Sequence, residues 1–326
     1  MRWKIIRYSR NIFAIGLIGT LAIELLLISS VKGGPESAKK QYWATSLSAI
    51  VDEAILVGLR EAVARGEVGW LDIDLNYPTP PLEPGINLIL YHVGGNCYIG
   101  SDCRRFPSSK PTGDRWDDAE RMIDLEDPAA RKIVIANLVK IVEQGDRIAP
   151  DGSIVGVHVD NVHMLGAAGL ATVFNEFLLE VETARQQGRI SKTRRVGYVA
   201  KNNPRGFREA LDQKLLDAPP LYVINENARL NQNGILNSAS RTAQEIGRRC
   251  DIPIFLKTFG SDVAFTIEQD GIDRDVPVSK EMARQMAQMP NISGVAWSVD
   301  ESSYHPILFV QGSPVQEVPS GSLCRD

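Results

Sequence analysis

Short apolar runs alternate along the chain with longer segments of helical period. The clearest short run is "IVGVHVDN" (154–161), six positions without a turn residue other than glycine, closed by a carboxylate and an amide. Runs of this kind predict strands over 42–47, 70–75, 87–93, 154–160, 195–200, 221–225, 253–258 and 292–298. Several are apolar throughout instead of alternating, which suits a parallel sheet covered on both faces. Between two of them Leu170, Val173, Phe174, Phe177, Leu178 and Val181 recur three or four residues apart, predicting a helix with one buried stripe. Asp127-Pro128 predicts the start of another, an N-cap followed by proline in the first turn, with Val134, Leu138 and Ile141 turned inward. Ser48 and Ser279 are candidate caps of two more. The segment 76–87, "NYPTPPLEPGIN", is too short and too rich in proline for a helix.

Strands and helices in this βα order, with no internal repeat, predict an α/β fold: a single (β/α)8 TIM-type barrel over residues 42–326, with a doubly wound open sheet as the competing arrangement. The apolar runs end in polar residues: Asp72 and Asp74, Tyr91 and His92, Asp160 and Asn161, Lys201 and Asn202, Asn225 and Glu226, and Lys257. In both architectures the C-terminal strand ends line the ligand site, so these groups are expected to converge.

The first residues follow a different grammar. Arg2, Lys4, Arg7 and Arg10 precede an apolar run over 13–31, as in export signals. The run exceeds the usual core of a cleaved signal, and ~20 apolar residues suffice to cross a bilayer. Residues 1–31 therefore read as a signal peptide or signal anchor, and 32–41, "KGGPESAKKQ", as a linker. The expected location is secreted, periplasmic or in the cell envelope, with membrane attachment through residues 13–31 if the segment stays uncleaved. Four cysteines fit an oxidising compartment, and Cys97 with Cys103 and Cys250 with Cys324 are the candidate bridges.

Composition narrows the partners. A formal net charge of -4 gives no basic footprint for nucleic acid, so neither DNA nor RNA is an expected partner. With 44% hydrophobic residues in 326 positions the chain is long enough to bury its own core, and a monomer is expected.

Asp160 and Glu226 are the candidate catalytic pair. Glycosidic hydrolysis needs two carboxyl groups, one protonated to assist the leaving oxygen and one ionised to attack or to activate water. The plainer reading of each is a helix cap or a salt bridge. Asn161, Asn202 and Asn225 both donate and accept, as sugar hydroxyls require, and Lys201 would support them. Tyr91, Tyr98, Trp116, Tyr198 and Trp297 are candidates for stacking on sugar rings or for ordinary packing. His92, His158 and His163 with Asp160 would be a metal set, but no spacing matches a zinc hydrolase. Neither a metal nor another cofactor is expected.

Taken in order, "WLDIDL" (70–75), "LILYHVGG" (88–95) with "CYIGSDCRRFP", "MIDLEDPAAR" (122–131), "GVHVDN" (156–161), "VGYVAKNN" (196–203), "VINEN" (223–227) and "IPIFLKTFG" (252–260) resemble glycoside hydrolase family 114, the endo-α-1,4-polygalactosaminidase-like (β/α)8 enzymes. The resemblance implies an exported hydrolase of amino-sugar polysaccharide, with Glu226 as acid/base and Asp160 as nucleophile or base. Tyr91, Asn161, Lys201 and Asn202 would contact the sugar, with Asp74, His92 and Asn225 the remaining substrate-binding candidates. An acidic cleft would concentrate a polycationic substrate. The alternatives are a catalytically inactive polysaccharide-binding envelope protein and a metal-dependent hydrolase built on His158, Asp160 and His163.

Overall fold

Every apolar run that predicts a strand pairs as one. The computed structural model describes residues 42–46, 68–73, 82, 84, 86–92, 94–98, 103–106, 110–111, 120–160, 162, 165–226, 228–231, 233–259, 266–269, 272–275, 280–298, 308–311 and 324. The candidate anchor 13–31, the linker and the candidate caps Ser48 and Ser279 lie outside them. The chain divides into two units, Met1–Ala38, wholly outside the described residues, and Lys39–Asp326. Among the described residues no helix is long and apolar enough to cross a membrane.

The strands are β1 (Tyr42–Ser46), β2 (Val68–Ile73), β3 (Asn87–His92), β4 (Asn96–Tyr98), β5 (Lys110–Pro111), β6 (Glu120–Met122), β7 (Ile154–Val159), β8 (Arg195–Tyr198), β9 (Ala200–Lys201), β10 (Val223–Asn225), β11 (Ile254–Phe259), β12 (Thr266–Gln269), β13 (Ile272–Asp275), β14 (Gly294–Ser298) and β15 (Leu308–Gln311). One five-stranded sheet runs β1-β2-β3-β7-β8 and a second runs β9-β10-β11-β14-β15. Every pairing in them is parallel except the last, β14 with β15. Val199 alone separates β8 from β9, and its N–H donates to Val157 O (2.9 Å) while Ala200 N–H donates to Tyr222 O (3.0 Å). The segment 195–201 therefore pairs with both sheets. The eight expected strands follow one another in sequence order, with the antiparallel β15 added beyond them. Two smaller sheets, β4-β6-β5 and the β12–β13 hairpin, lie within connections.

Parallel strands need crossovers, and from β3 onward helices supply them. They are α1 (Pro128–Ile148), α2 (Ala167–Gln186), α3 (Pro204–Asp212), α4 (Ser238–Cys250) and α5 (Lys280–Ala287). The α1 cap is as expected: Asp127 accepts from Ala129 N–H at 2.9 Å, with proline in the first turn. Asn203 caps α3 through Gly206 N–H, and Asn237 caps α4 through Ser240 N–H. The α2 stripe is buried as predicted, except that Leu178 is only partly covered.

Period two sorts the strand residues onto two faces. Leu71, Ile73, Leu88, Leu90, Val155, Val157, Val223, Ile254 and Leu256 pack with the helices in one large core. The opposite parity gives a second cluster of Trp70, Ile89, Ile154, Val199, Tyr222, Ile224 and Phe255, joined by Leu221 from the segment before β10. Gly156 and Gly197 are register partners on that second face, and Leu221 fills the space that two side chains would have taken. Continuing along the same parity toward the C-terminal strand ends, the residues become Asp72, Tyr91, His158, Asp160, Lys201, Glu226 and Lys257.

Candidate active site

These same-face residues meet. Asp160 follows β7, Lys201 ends β9, Glu226 follows β10 and Lys257 lies in β11, so parallel strands of both sheets deliver them to their C-terminal ends. Lys201 Nζ stands 2.7 Å from Asp160 Oδ1 and 3.4 Å from Glu226 Oε1, so those two oxygens are no further apart than the sum, about 6.1 Å. Lys257 Nζ donates to the same Glu226 oxygen at 2.9 Å. Tyr91 donates its hydroxyl to Asp160 Oδ2 at 2.6 Å, and its ring centroid lies 5.7 Å from Lys201 Nζ.

Asn202 completes the grip on Glu226. Its Nδ2 donates to Glu226 Oε2, and its Oδ1 accepts from the Glu226 backbone N–H at 2.8 Å. Strand parity would turn this side chain away from Lys201's face. Asn202 has φ of 50°, in the left-handed region that asparagine tolerates better than most residues, and this turn brings the amide to Glu226.

Electrostatics follow from the two ammonium groups. Burial, the largest influence on Glu226, favours the protonated form, yet Lys201, Lys257 and Asn202 outweigh it and hold the carboxyl far below the usual range. Burial likewise works against ionised Asp160, and Lys201 overcomes it, leaving that pKa lowered too. For Lys201 burial pulls the pKa down, while Glu226 and Asp160 together push it above its ordinary value. Burial and the Asp160 carboxylate raise the Tyr91 phenol strongly, so it acts as a donor. At neutral pH the centre thus holds two carboxylates, two ammonium groups and a neutral phenol.

The remaining candidates are dispersed. Asn225 lies on the opposite face, buried, with Nδ2 donating to Ser240 Oγ and to Glu226 O, each at 3.0 Å; it ties β10 to α4 instead of lining the mouth. His92 has the parity opposite to Tyr91, and its carbonyl accepts from Asp160 N–H (2.9 Å). Tyr198 is buried among the helices, stacked on Phe174 at 4.1 Å with its hydroxyl donating to Ala218 O. Asp74, Asn161, His163 and Trp116 lie outside the described residues, as do the side chains of Tyr98 and Trp297. Among the described residues no group of three or more His, Cys, Asp and Glu is placed to hold a metal ion. His158 Nδ1 is taken by Asp72 Oδ2 at 2.5 Å.

Sequence reasoning marked Lys257 only as one polar strand end among several, and left Asp72 and His158 without a common role. The signal available for all three was parity with Asp160 and Glu226. Both expected disulfides are formed, Cys97–Cys103 and Cys250–Cys324.

Among the solved structures similar to this chain are two that cover most of its length. One is Aspergillus fumigatus Ega3 in complex with galactosamine, 15% identical, with a TM-score of 0.47 over 83% of this chain and 96% of the other. The second is the glycoside hydrolase domain of PelA from Pseudomonas aeruginosa, 12% identical, with a TM-score of 0.46 over 84% of this chain and 98% of the other. No protein-family profile and no curated protein matches the chain.

Proposed function

We propose that the chain is a glycoside hydrolase of amino-sugar polysaccharide, exported or anchored by residues 1–31 and built as a (β/α)8 barrel over residues 42–326. The observation that carries this reading is the Asp160–Glu226 pair, gathered at the C-terminal ends of parallel strands with two of its oxygens within about 6.1 Å. A separation of ~5 to 5.5 Å suits direct attack by one carboxylate, whereas ~6.5 to 9.5 Å is needed to admit water between them. The bound applies to one pair of oxygens and falls between the two ranges; direct attack with a covalent glycosyl intermediate is the course proposed. The amino-sugar part of the reading rests on the ordered family segments. The polysaccharide is the partner, the protein acts as a monomer, and two disulfides suit an oxidising compartment outside the cytoplasm.

The contacts of the two carboxylates support an assignment of roles within the pair. Glu226 accepts from Lys257 and Asn202 and forms an ion pair with Lys201, whereas Asp160 pairs with Lys201 and accepts from Tyr91. On this reading a proton entering the pair goes to Asp160, with Asp160 as acid/base and Glu226 as nucleophile, whereas the expectation from sequence had the two roles the other way round. In the chemical step Glu226 attacks the anomeric carbon while Asp160 protonates the leaving oxygen; water, deprotonated by Asp160, then releases the sugar. Tyr91 and Asn202 keep both carboxyl groups oriented.

One observation favours a second reading, a polysaccharide-binding protein without turnover: the lysines hold both carboxylates ionised, and a leaving sugar oxygen needs a proton. A single experiment separates the two. The full chain in mild detergent is incubated with de-acetylated galactosamine polymer, and new reducing ends are counted for wild type, Asp160→Asn and Glu226→Gln. The glycosidase reading requires release by wild type and a loss of at least ~100-fold in each variant. Binding of polymer by all three with no release from any establishes the second reading. An aryl glycoside with a good leaving group tests the roles, because Asp160→Asn should still attack it and Glu226→Gln should not.

A further inference from the structure

Beneath the candidate site lies a buried ionisable pair that the proposed chemistry does not use. Asp72 and His158 have fully buried side chains, and His158 Nδ1 is 2.5 Å from Asp72 Oδ2. Tyr222 donates its hydroxyl to the same Asp72 oxygen at 3.2 Å, and its ring packs edge-on against Trp70 and Phe255. Among the described residues, Asp72 Oδ1 and His158 Nε2 find no hydrogen-bond partner. Enclosing such a pair costs free energy that an apolar pair of similar size would avoid, so stability alone does not account for it. Neither residue caps a helix or ties two elements at the surface.

The pair instead leads upward to Asp160. His158 and Tyr91 are register partners on β7 and β3, and their rings meet edge to face, centroids 5.3 Å apart at 88°. Tyr91 in turn donates to Asp160 Oδ2. His158 also precedes Asp160 by two residues on the same strand face. We propose that Asp72 and His158 form a positioning dyad for Asp160, in which Asp72 fixes the His158 ring and His158 fixes Tyr91 where its hydroxyl orients the Asp160 carboxyl. Asp72 accepts from Nδ1–H and so selects the imidazole tautomer, as a carboxylate behind a catalytic or ligating histidine does. Neither residue touches the reacting atoms; both act through Tyr91.

Only the kinetic arm of the test rests on the glycosidase reading. Lys201, Glu226, Tyr91 and His158 are among the groups that face the Asp160 carboxyl, with Asp72 behind. Its titration is followed by carboxyl carbon NMR in the full chain in detergent, the Asp160 signal being assigned by its absence in Asp160→Asn. Wild type is compared with Asp72→Asn, His158→Phe, Tyr91→Phe and the His158→Phe/Tyr91→Phe double variant. Tyr91→Phe and His158→Phe should each raise the Asp160 pKa, and the double variant should raise it no further than Tyr91→Phe alone, because contacts in one chain of interaction are non-additive. Where polymer is cleaved, kcat should fall ~10-fold in His158→Phe with KM within about twofold, as expected when a supporting residue is lost.

An unchanged titration in folded His158→Phe overturns the proposal, as does full additivity in the double variant, which would mean that His158 acts on Asp160 by charge without Tyr91. Should His158→Phe not fold, imidazole nitrogen NMR of wild type and Asp72→Asn decides: Nδ1 protonated in wild type supports the dyad, and a proton on Nε2 alone sinks it. If wild type releases no reducing ends, the glycosidase reading fails and the NMR arms still judge the dyad.

Discussion

Lys201 Nζ lies 2.7 Å from Asp160 Oδ1 with 4% of its side chain exposed, and the same nitrogen reaches Glu226. One buried cation therefore bridges both carboxylates and offsets part of their charge. Replacing it by methionine keeps the length and removes the charge. Two carboxylates then face each other in a nearly enclosed site, with Lys257 left to offset Glu226 alone. Lys201→Met should lower unfolding free energy by about 3 kcal/mol, the low end for breaking a buried pair because the carboxylates keep some solvent contact. It should also raise the pKa of Asp160, moving the acid limb of any pH–rate profile upward. Urea unfolding at pH 7 and the pH profile check the two effects; an unaltered acid limb would show that Lys201 does not set the state of Asp160.

Stability should fall in acid through Glu226. Its folded pKa lies below the unfolded value of about 4.3, so the unfolded chain binds the proton more readily. The stabilisation is therefore complete above that pH and disappears as pH falls through the folded pKa; Asp160 adds to the same trend below about 3.9. Glu226→Gln removes this contribution at every pH, leaving two lysines without their carboxylate. The gap in urea midpoint between wild type and Glu226→Gln should be widest near pH 7 and narrow steadily below about pH 4. A gap that stays constant from pH 7 to pH 3 would mean that Glu226 is not held as the anion.

The two disulfides should matter unequally. Cys97–Cys103 closes a loop with a separation of 6 residues, and Cys250–Cys324 one with a separation of 74, tying the end of α4 to the far C-terminal residues. On chain-entropy grounds the long loop contributes about 4.5 kcal/mol and the short one about 2.4 kcal/mol. Cys250→Ser/Cys324→Ser should lower Tm roughly twice as far as Cys97→Ser/Cys103→Ser under oxidising conditions. Equal shifts would place the stabilisation in local packing instead of loop closure.

How much of this was legible in the sequence depends on which face a residue takes. The eight strands, the α1 cap and the α2 stripe follow from apolar periodicity and capping chemistry, and the structure reproduces them. Asp160 and Glu226 stand out because each ends an apolar run in a carboxylate. Neighbours in a strand point to opposite faces, so Asn225 beside Glu226, and His92 beside Tyr91, could have been set apart by parity alone. Asn202 is the exception, since its left-handed backbone carries it to a face that parity denies it. Which residues share a height was not readable, because it depends on the stagger between strands. Tyr91 meets His158 through the β3–β7 register, and that pairing appears in neither segment taken by itself.

The same register makes the last prediction. Gly156 and Gly197 face each other across β7 and β8 beneath the site, and both make room for Leu221. A Cβ on Gly156 would fall 2.5 Å from Leu221 Cδ1 and 2.6 Å from Ile89 Cδ1, the free ends of two side chains. A Cβ on Gly197 would fall 2.7 Å from Leu221 Cγ, the branch point, and within 3.1 Å of both its methyl groups. Leu221 can yield to the first intrusion by shifting a methyl, but it must move as a whole for the second. Gly197→Ala should therefore cost more than Gly156→Ala, about 3 against about 1 kcal/mol, within the usual range for overpacking a core. Leu221→Ala removes the obstacle, so Gly197→Ala/Leu221→Ala should be little less stable than Leu221→Ala alone. Thermal melts of the four variants test this coupling, and a full additional loss in the double variant would show that the strain at Gly197 lies in the backbone and not against Leu221.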